Sequence, residues 1–189
     1  ESKYGLPVLS VQSDGWLEEL QQSVAGSGGK LELITAPHGF CGTLRPYQAR
    51  GVSWLAHLHH FGLGACLADD MGLGKTIELI AFLLKEREGP KVEGSSIGPT
   101  LLVCPLSVAG NWQKEFARFA PSLRVMVHHG TERLSGPSFQ EAARGQDVVI
   151  TTYSLAQQDE QSLSSLPWEL LVLVEAQNIK NPAAKQTQA

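Results

Sequence analysis

Ala68-Asp69-Asp70-Met71-Gly72-Leu73-Gly74-Lys75-Thr76 follows the short apolar run Ala65-Cys66-Leu67 and precedes an apolar helical pattern from Ile77 to Leu84. A tight, glycine-supported loop between a strand and a helix start turns several backbone N–H groups toward one point. The helix dipole makes that point attractive to phosphate. Lys75 is placed to reach the outer phosphates, and Thr76 offers a hydroxyl to a bound Mg²⁺. The first glycine of the G-x-x-x-x-G-K-[ST] pattern is replaced by Asp69. A glycine-rich turn that merely caps a core helix would not require the lysine, so the stretch reads as a phosphate-binding loop.

Around this loop the chain alternates strand and helix. Pro46 suits a helix's first turn, which predicts a helix from Tyr47 to His59. After the loop and its helix, Glu88 to Pro99 reads as a Gly/Pro/Ser-rich surface linker. Thr100 to Cys104 is an apolar strand, and Ser107 is expected to cap a helix with Trp112, Phe116 and Phe119 on one face. Trp112 shares that stripe and therefore reads as core. Arg124 to His128 is a strand, Ser138 to Arg144 a short helix and Asp147 to Thr151 another strand. Leu170 to Val174 is uninterrupted apolar sequence, expected to be a strand buried on both faces. Together these predict an α/β fold with a parallel sheet covered by helices on both faces. Ligands in such sheets bind beyond the carboxyl ends of the strands, where the phosphate loop falls.

The segment before Phe40 reads differently. Asp14 is a candidate cap for a short helix carrying Trp16, Leu17, Leu20 and Val24, and Leu31 to Ile34 for a short strand. The chain thus divides into an upstream accessory segment, 1–40, and the α/β region, 41–189.

With 189 residues, 42% hydrophobic and 18% charged, the composition is that of a soluble globular protein large enough for one α/β domain. The net charge of −4 provides no overall basic field, so nucleic-acid contacts must come from local patches. Cys41, Cys66 and Cys104 lack metal-ligand spacing. Cys66 and Cys104 lie in apolar runs and are expected to be small buried thiols, which suits a reducing cytosol. No apolar run reaches membrane-spanning length, so no membrane association is expected, and Glu1 to Ser10 has no signal-peptide character. The lack of an initiator Met suggests a piece of something longer. His57, His59 and His60 cluster near a helix end and His128-His129 lies elsewhere, but no Cys/His spacing supports zinc. Lys180, Lys185 and Arg118 read as solvated charges, and Ser107 and Ser154 lack evident His-Asp partners.

Five segments occur in order: Leu44-Arg45-Pro46-Tyr47-Gln48-Ala49-Arg50-Gly51; Asp69 to Thr76; Leu101-Leu102-Val103-Cys104-Pro105 with Asn111-Trp112; Ile150-Thr151-Thr152-Tyr153; and Glu175-Ala176-Gln177-Asn178-Ile179-Lys180-Asn181. The set resembles the first half of the motor in SWI/SNF-type helicase-like ATPases of superfamily two, closest to their bacterial members. The resemblance implies a RecA-like lobe and DNA-stimulated ATP hydrolysis coupled to translocation on double-stranded DNA, in the cytoplasm at the nucleoid. It places Gln48 on the adenine, with Arg45 and Tyr47 shaping that pocket. An amide both donates and accepts, as adenine's amino group and N7 require. Asp70, Met71, Gly72, Leu73, Gly74, Lys75 and Thr76 form the phosphate loop, Thr76 facing Mg²⁺. Glu175 is implied to orient or deprotonate the attacking water, and Gln177 to link the nucleotide site to DNA. Pro105, Leu106, Thr151, Thr152 and Tyr153 fall in segments that contact a DNA strand in the family. For Tyr153 and the threonines, strand-end packing or helix capping is the equal alternative.

Two departures bear on activity. Val174 stands where the family has an aspartate that anchors the Mg²⁺ shell, and valine cannot ligate a hard cation. Glu78 also replaces the family's more usual Gln, a milder change. Furthermore, the chain stops at Ala189, before the second RecA-like lobe whose arginines, worth about 10³–10⁵ in rate in related NTPases, reach the γ-phosphate. The expectation is an ATP- and Mg²⁺-binding portion of a DNA-dependent motor with little hydrolysis of its own. The alternative is a degenerate, non-catalytic nucleotide- or DNA-binding module. A different P-loop enzyme is disfavoured, since no Asn-Lys-x-Asp guanine signature is found and the adenine-reading segment precedes the loop.

Overall fold

The computed structural model describes residues 2–3, 6–7, 33–88 and 98–179. The expected helix at 14–24, residues 31–32 of the expected strand, most of the 88–99 linker, and Lys180, Asn181 and Lys185 lie outside the described residues. Two short strands, β1 (Ser2–Lys3) and β2 (Leu6–Pro7), pair antiparallel. Leu33 and Ile34 form no strand, and Ile34 N–H instead donates to the Ser53 hydroxyl at 2.8 Å.

Helix α1 spans Pro46–His60 and α2 spans Lys75–Glu86. Next come β3 (Thr100–Cys104), α3 (Leu106–Phe119), β4 (Val125–Val127) and α4 (Gly136–Arg144). The short helices α5 (Tyr153–Gln158) and α6 (Glu160–Leu163) lie between β5 (Val148–Thr152) and β6 (Leu170–Leu173), and a 3₁₀ turn covers Ala176–Ile179. Strands β4, β5, β3 and β6 form one sheet in that order, every pair parallel. Leu102 sits opposite Ile150 on one side and Val172 on the other.

Period-two alternation along β3 feeds two cores. Leu102 and Cys104 pack with α1, α2 and α3 through Val52, Ile80, Leu83, Trp112 and Phe116. Leu101 and Val103 point the other way, onto Phe139 and Ala143 of α4 and onto Tyr153 and Leu163. Each fully buried large apolar side chain contributes about 1.5–3 kcal/mol, so both faces are substantial. Trp112 is core, as its stripe predicts. The parallel sheet with helices on both faces is therefore the observed architecture.

Five further expectations need correction. Leu170 to Val174 is not buried on both faces: Leu170, Val172 and Val174 pack on the first core, while Leu171 and Leu173 are 60% and 39% exposed. β6 is the sheet's edge, and the α4–α6 layer does not extend over its second face. Ala65-Cys66-Leu67 forms no strand, and Cys66 is exposed. Strand geometry is held by a ladder, and this three-residue run has no strand partner among the described residues. Helix α3 starts from Pro105, whose carbonyl accepts from Val108 N–H at 3.0 Å, so Ser107 lies inside the first turn and caps nothing. Helix α4 begins at Gly136, with Pro137 in its first turn, two residues before Ser138.

Candidate nucleotide-binding site

The phosphate loop turns on two glycines. Gly72 and Gly74 have φ of +84° and +86°, a region costing L-residues roughly 1–2 kcal/mol each. Gly74 is also the N-cap of α2 and accepts from the N–H groups of Ile77 and Glu78. A helix's first N–H groups lack intrahelical partners, so the loop presents donors where the dipole is positive. Lys75 folds back over the loop, its Nζ donating to the carbonyls of Asp69 at 2.6 Å and Asp70 at 3.0 Å. Met71 is 93% exposed and Leu73 partly so, while Thr76 is half-buried.

Helix α1 braces this loop from the side. The Tyr47 hydroxyl and Gln48 Nε2 both donate to the Leu73 carbonyl, at 3.0 and 3.1 Å. Gln48 Oε1 accepts from Arg45 N–H at 3.0 Å, closing the first turn of α1. Gln48 is buried, and its Nε2 lies 2.5 Å from where a Cβ on residue 74 would stand. The start of α1 and the glycine loop, 26 residues apart at Tyr47 and Leu73, are thus one packed unit. Arg45 is exposed beside it.

Behind the loop lies a group that sequence reading treated as a mild change. Glu78 is fully buried, and neither carboxylate oxygen meets a hydrogen-bond donor among the described residues. Gly51 of α1 makes room for it, since a Cβ there would stand 2.9 Å from Glu78 Oε1. Burial, and then the charge of Asp69, push the Glu78 carboxyl from 4.5 up to about 7, against the opposing pull of Lys75.

The candidates Glu175 and Gln177 follow the end of β6. Val174 N–H donates to the Val103 carbonyl at 2.8 Å, carrying the ladder one residue beyond the strand. Glu175 then takes φ +55°, the one positive φ at a non-glycine among the described residues. Gln177 Nε2 donates to the Glu175 carboxylate, and both residues are exposed. The described residues include no group of three acidic, Cys or His side chains that could hold a metal. Thr76, half-buried in the first turn of α2, carries a hydroxyl oxygen of the kind a hard cation accepts.

The remaining candidates lie at the carboxyl ends of β3 and β5. Pro105 is partly exposed and Leu106 is 60% exposed. Thr151 and Thr152 are buried: the Thr151 hydroxyl donates to the His128 carbonyl at 3.3 Å, and Thr152 Oγ1 accepts from Leu155 N–H as the cap of α5. Tyr153 is buried too, its hydroxyl donating to the Val174 carbonyl at 2.8 Å. His128 is buried against Phe139 and pairs with Asp159 at 2.9 Å, and Arg133 reaches the same carboxylate at 2.6 and 3.1 Å. Hydrogen bonds from Arg133 and His128 hold the Asp159 carboxyl below the usual range. No sequence signal linked Asp159 to either residue.

A sequence model of the SNF2-related domain matches residues 47–189. The chain is 49% identical over 150 residues to a putative ATP-dependent helicase/translocase, YwqA, of Bacillus subtilis, covering 79% of this chain and 16% of that protein. It is 40% identical over 167 residues to helicase SWR1 of Debaryomyces hansenii, covering 86% of this chain and 10% of that one. Among solved structures, the SWI2/SNF2 ATPase core of Sulfolobus solfataricus in complex with dsDNA superposes with a TM-score of 0.70 at 37% identity. That match covers 83% of this chain and 31% of the archaeal one. The chain thus spans less than a third of each of these proteins.

Proposed function

The chain belongs to the SNF2-related family of helicase-like ATPases, and from that premise we propose that it is the ATP-binding portion of a DNA-dependent ATPase/translocase. The observation that carries the reading is Lys75 held over a glycine-turned helix N-terminus by the Asp69 and Asp70 carbonyls. An ammonium poised among backbone carbonyls can exchange those partners for phosphate oxygens with little movement, gaining charge-assisted bonds.

In this reading Gln48 holds adenine with the part of its amide not spent on Arg45 and Leu73, beside Arg45 and Tyr47. Residues Asp70 to Thr76 wrap the phosphates, and Thr76 contributes its hydroxyl to Mg²⁺. When bound, Mg²⁺ supplies neutralisation of phosphate charge. Glu175 orients or deprotonates water, and Gln177, already bonded to it, connects that group to the nucleic-acid side. Pro105 and Leu106 belong to the surface that tracks duplex DNA, and Thr151 and Thr152 take part through backbone groups because their hydroxyls are committed within the protein. The division into an upstream segment, 1–40, and a lobe, 41–189, belongs to this proposal, as does action in the cytoplasm at a bacterial nucleoid. Among the described residues no helix is long and apolar enough to cross a membrane.

Because Val174 offers no metal-directed oxygen, hydrolysis by this chain is expected to be small. The same observation favours a second reading, a nucleotide-binding module without turnover. Titration with ATP, with and without Mg²⁺, tests both. Saturable binding strengthened by Mg²⁺ and weakened at least tenfold by Lys75→Ala is expected, a charged hydrogen bond being worth about 1.5–3 kcal/mol. Indifference of ATP binding to Lys75→Ala would remove the phosphate loop from the account. Measurable turnover separates the first reading from the second.

A further inference from the structure

The Tyr153 side chain spans from the start of α5 to the end of β6 and ends on the carbonyl that precedes Glu175. Two hydrogen bonds fix residue 174: its N–H on the Val103 carbonyl and its carbonyl on the Tyr153 hydroxyl, both 2.8 Å. The first holds the 173–174 peptide and the second the 174–175 peptide, so the plane that leads into Glu175 is set by the Tyr153 hydroxyl. The backbone then enters the left-handed region at Glu175, where a residue with a Cβ persists only if its surroundings impose the conformation. The Tyr153 ring is held in turn by the second core, beside Val103 and Leu163.

We propose that Tyr153 is a positioning residue, whose hydroxyl holds the 174–175 peptide so that the Glu175 carboxylate faces the nucleotide site. This inference rests on the reading of Glu175 as the water-orienting group. It assigns Tyr153 a mechanical role in place of contact with nucleic acid, since its hydroxyl is spent on Val174 and its ring is buried. It also gives a route from the carboxyl end of β5 to the hydrolytic carboxylate, because Thr152, which caps α5, immediately precedes Tyr153. A displacement of the 151–153 segment would be felt at Glu175 through one hydrogen bond.

Tyr153→Phe removes that hydrogen bond and keeps the ring. In the ¹³C,¹⁵N-labelled 189-residue chain, the Val174 carbonyl and the Glu175–Gln177 amides are followed by NMR, with ATP affinity titrated in parallel. The expected result is an upfield move of the Val174 carbonyl and displaced amides at 175–177. Residues 154–157 should hold their positions, and ATP affinity should not change. A purely structural tyrosine would disturb its own helix first. Wild-type positions at 174–177 in the variant, with ATP still bound, would overturn the inference alone. Failure of the wild-type chain to bind ATP would overturn the nucleotide reading and the inference built on it.

Discussion

The two elements proposed to form the nucleotide site are built to different standards. The phosphate loop is over-determined: two left-handed glycines, a helix N-terminus, an inward lysine, and two side chains of α1 bonded to the same Leu73 carbonyl. The end of β6 is an edge, half-exposed, with a valine where the resemblance asks for a metal-directed carboxylate, and its geometry depends on two hydrogen bonds to residue 174. In the proposed reading, binding of phosphate and activation of water are encoded in separate elements, so one can be intact while the other is weakened. The family's reaction needs both, because positioning and charge neutralisation carry most of phosphoryl transfer.

The largest effect is expected where the braced side is tightest. Gly74→Ala puts a Cβ at φ +86° and 2.5 Å from Gln48 Nε2. Left-handed strain and overpacking together should cost roughly 3 kcal/mol. Chemical denaturation would read this as a lower midpoint, accompanied by loss of ATP binding. A variant as stable as the parent, with ATP affinity retained, would show that α1 and the loop are not one unit.

Much of this unit was legible in the sequence and some was not. The glycines, lysine and threonine announced themselves by spacing, and the strands β3 and β5 by their apolar runs. What failed were features decided by neighbours. The apolar run at 170–174 carries no mark of whether a helix layer covers its second face, and 65–67 reads as strand-like until a ladder partner is required. At 151–152 the sequence left DNA contact and strand-end packing or helix capping as equal readings, and the tertiary contacts spend both hydroxyls, on His128 and Leu155. Glu78 drew notice as a departure from a family pattern, but its burial against Gly51 is a property of helix packing.

Glu78 supplies the next test, because it places a cost inside the braced side. Its carboxyl is raised from 4.5 to about 7. Between those values the unfolded chain releases a proton that the folded chain retains, so stability falls as pH rises through this window and levels off above it. Glu78→Gln should therefore be more stable than the parent by about 2–3 kcal/mol at pH 8 and nearly equal to it at pH 4.5. Urea midpoints at the two pH values check this. Equal gains at both would mean that packing, and not ionisation, separates the two side chains.

The smallest predicted effect bears directly on the weaker side. Val174→Asp returns an oxygen to the end of β6 without touching the Tyr153 bond, which goes to the backbone carbonyl. Residue 174 is only half-buried, so a carboxylate there keeps contact with water and needs no buried partner. A hard cation gains from each added oxygen, directly or through water, and partners of this kind change metal affinity by about 10–100-fold. The lower end applies here, since the site lies on an exposed edge. The variant should bind ATP as the parent does without Mg²⁺, and the Mg²⁺-dependent gain in affinity should grow about tenfold, or about 1.4 kcal/mol. Titrations in EDTA and in Mg²⁺ separate the two quantities. An unchanged Mg²⁺ gain would mean that the end of β6 does not face the metal at all, and the contrast between a complete and a depleted side of one site would give way to a single phosphate-binding loop standing alone.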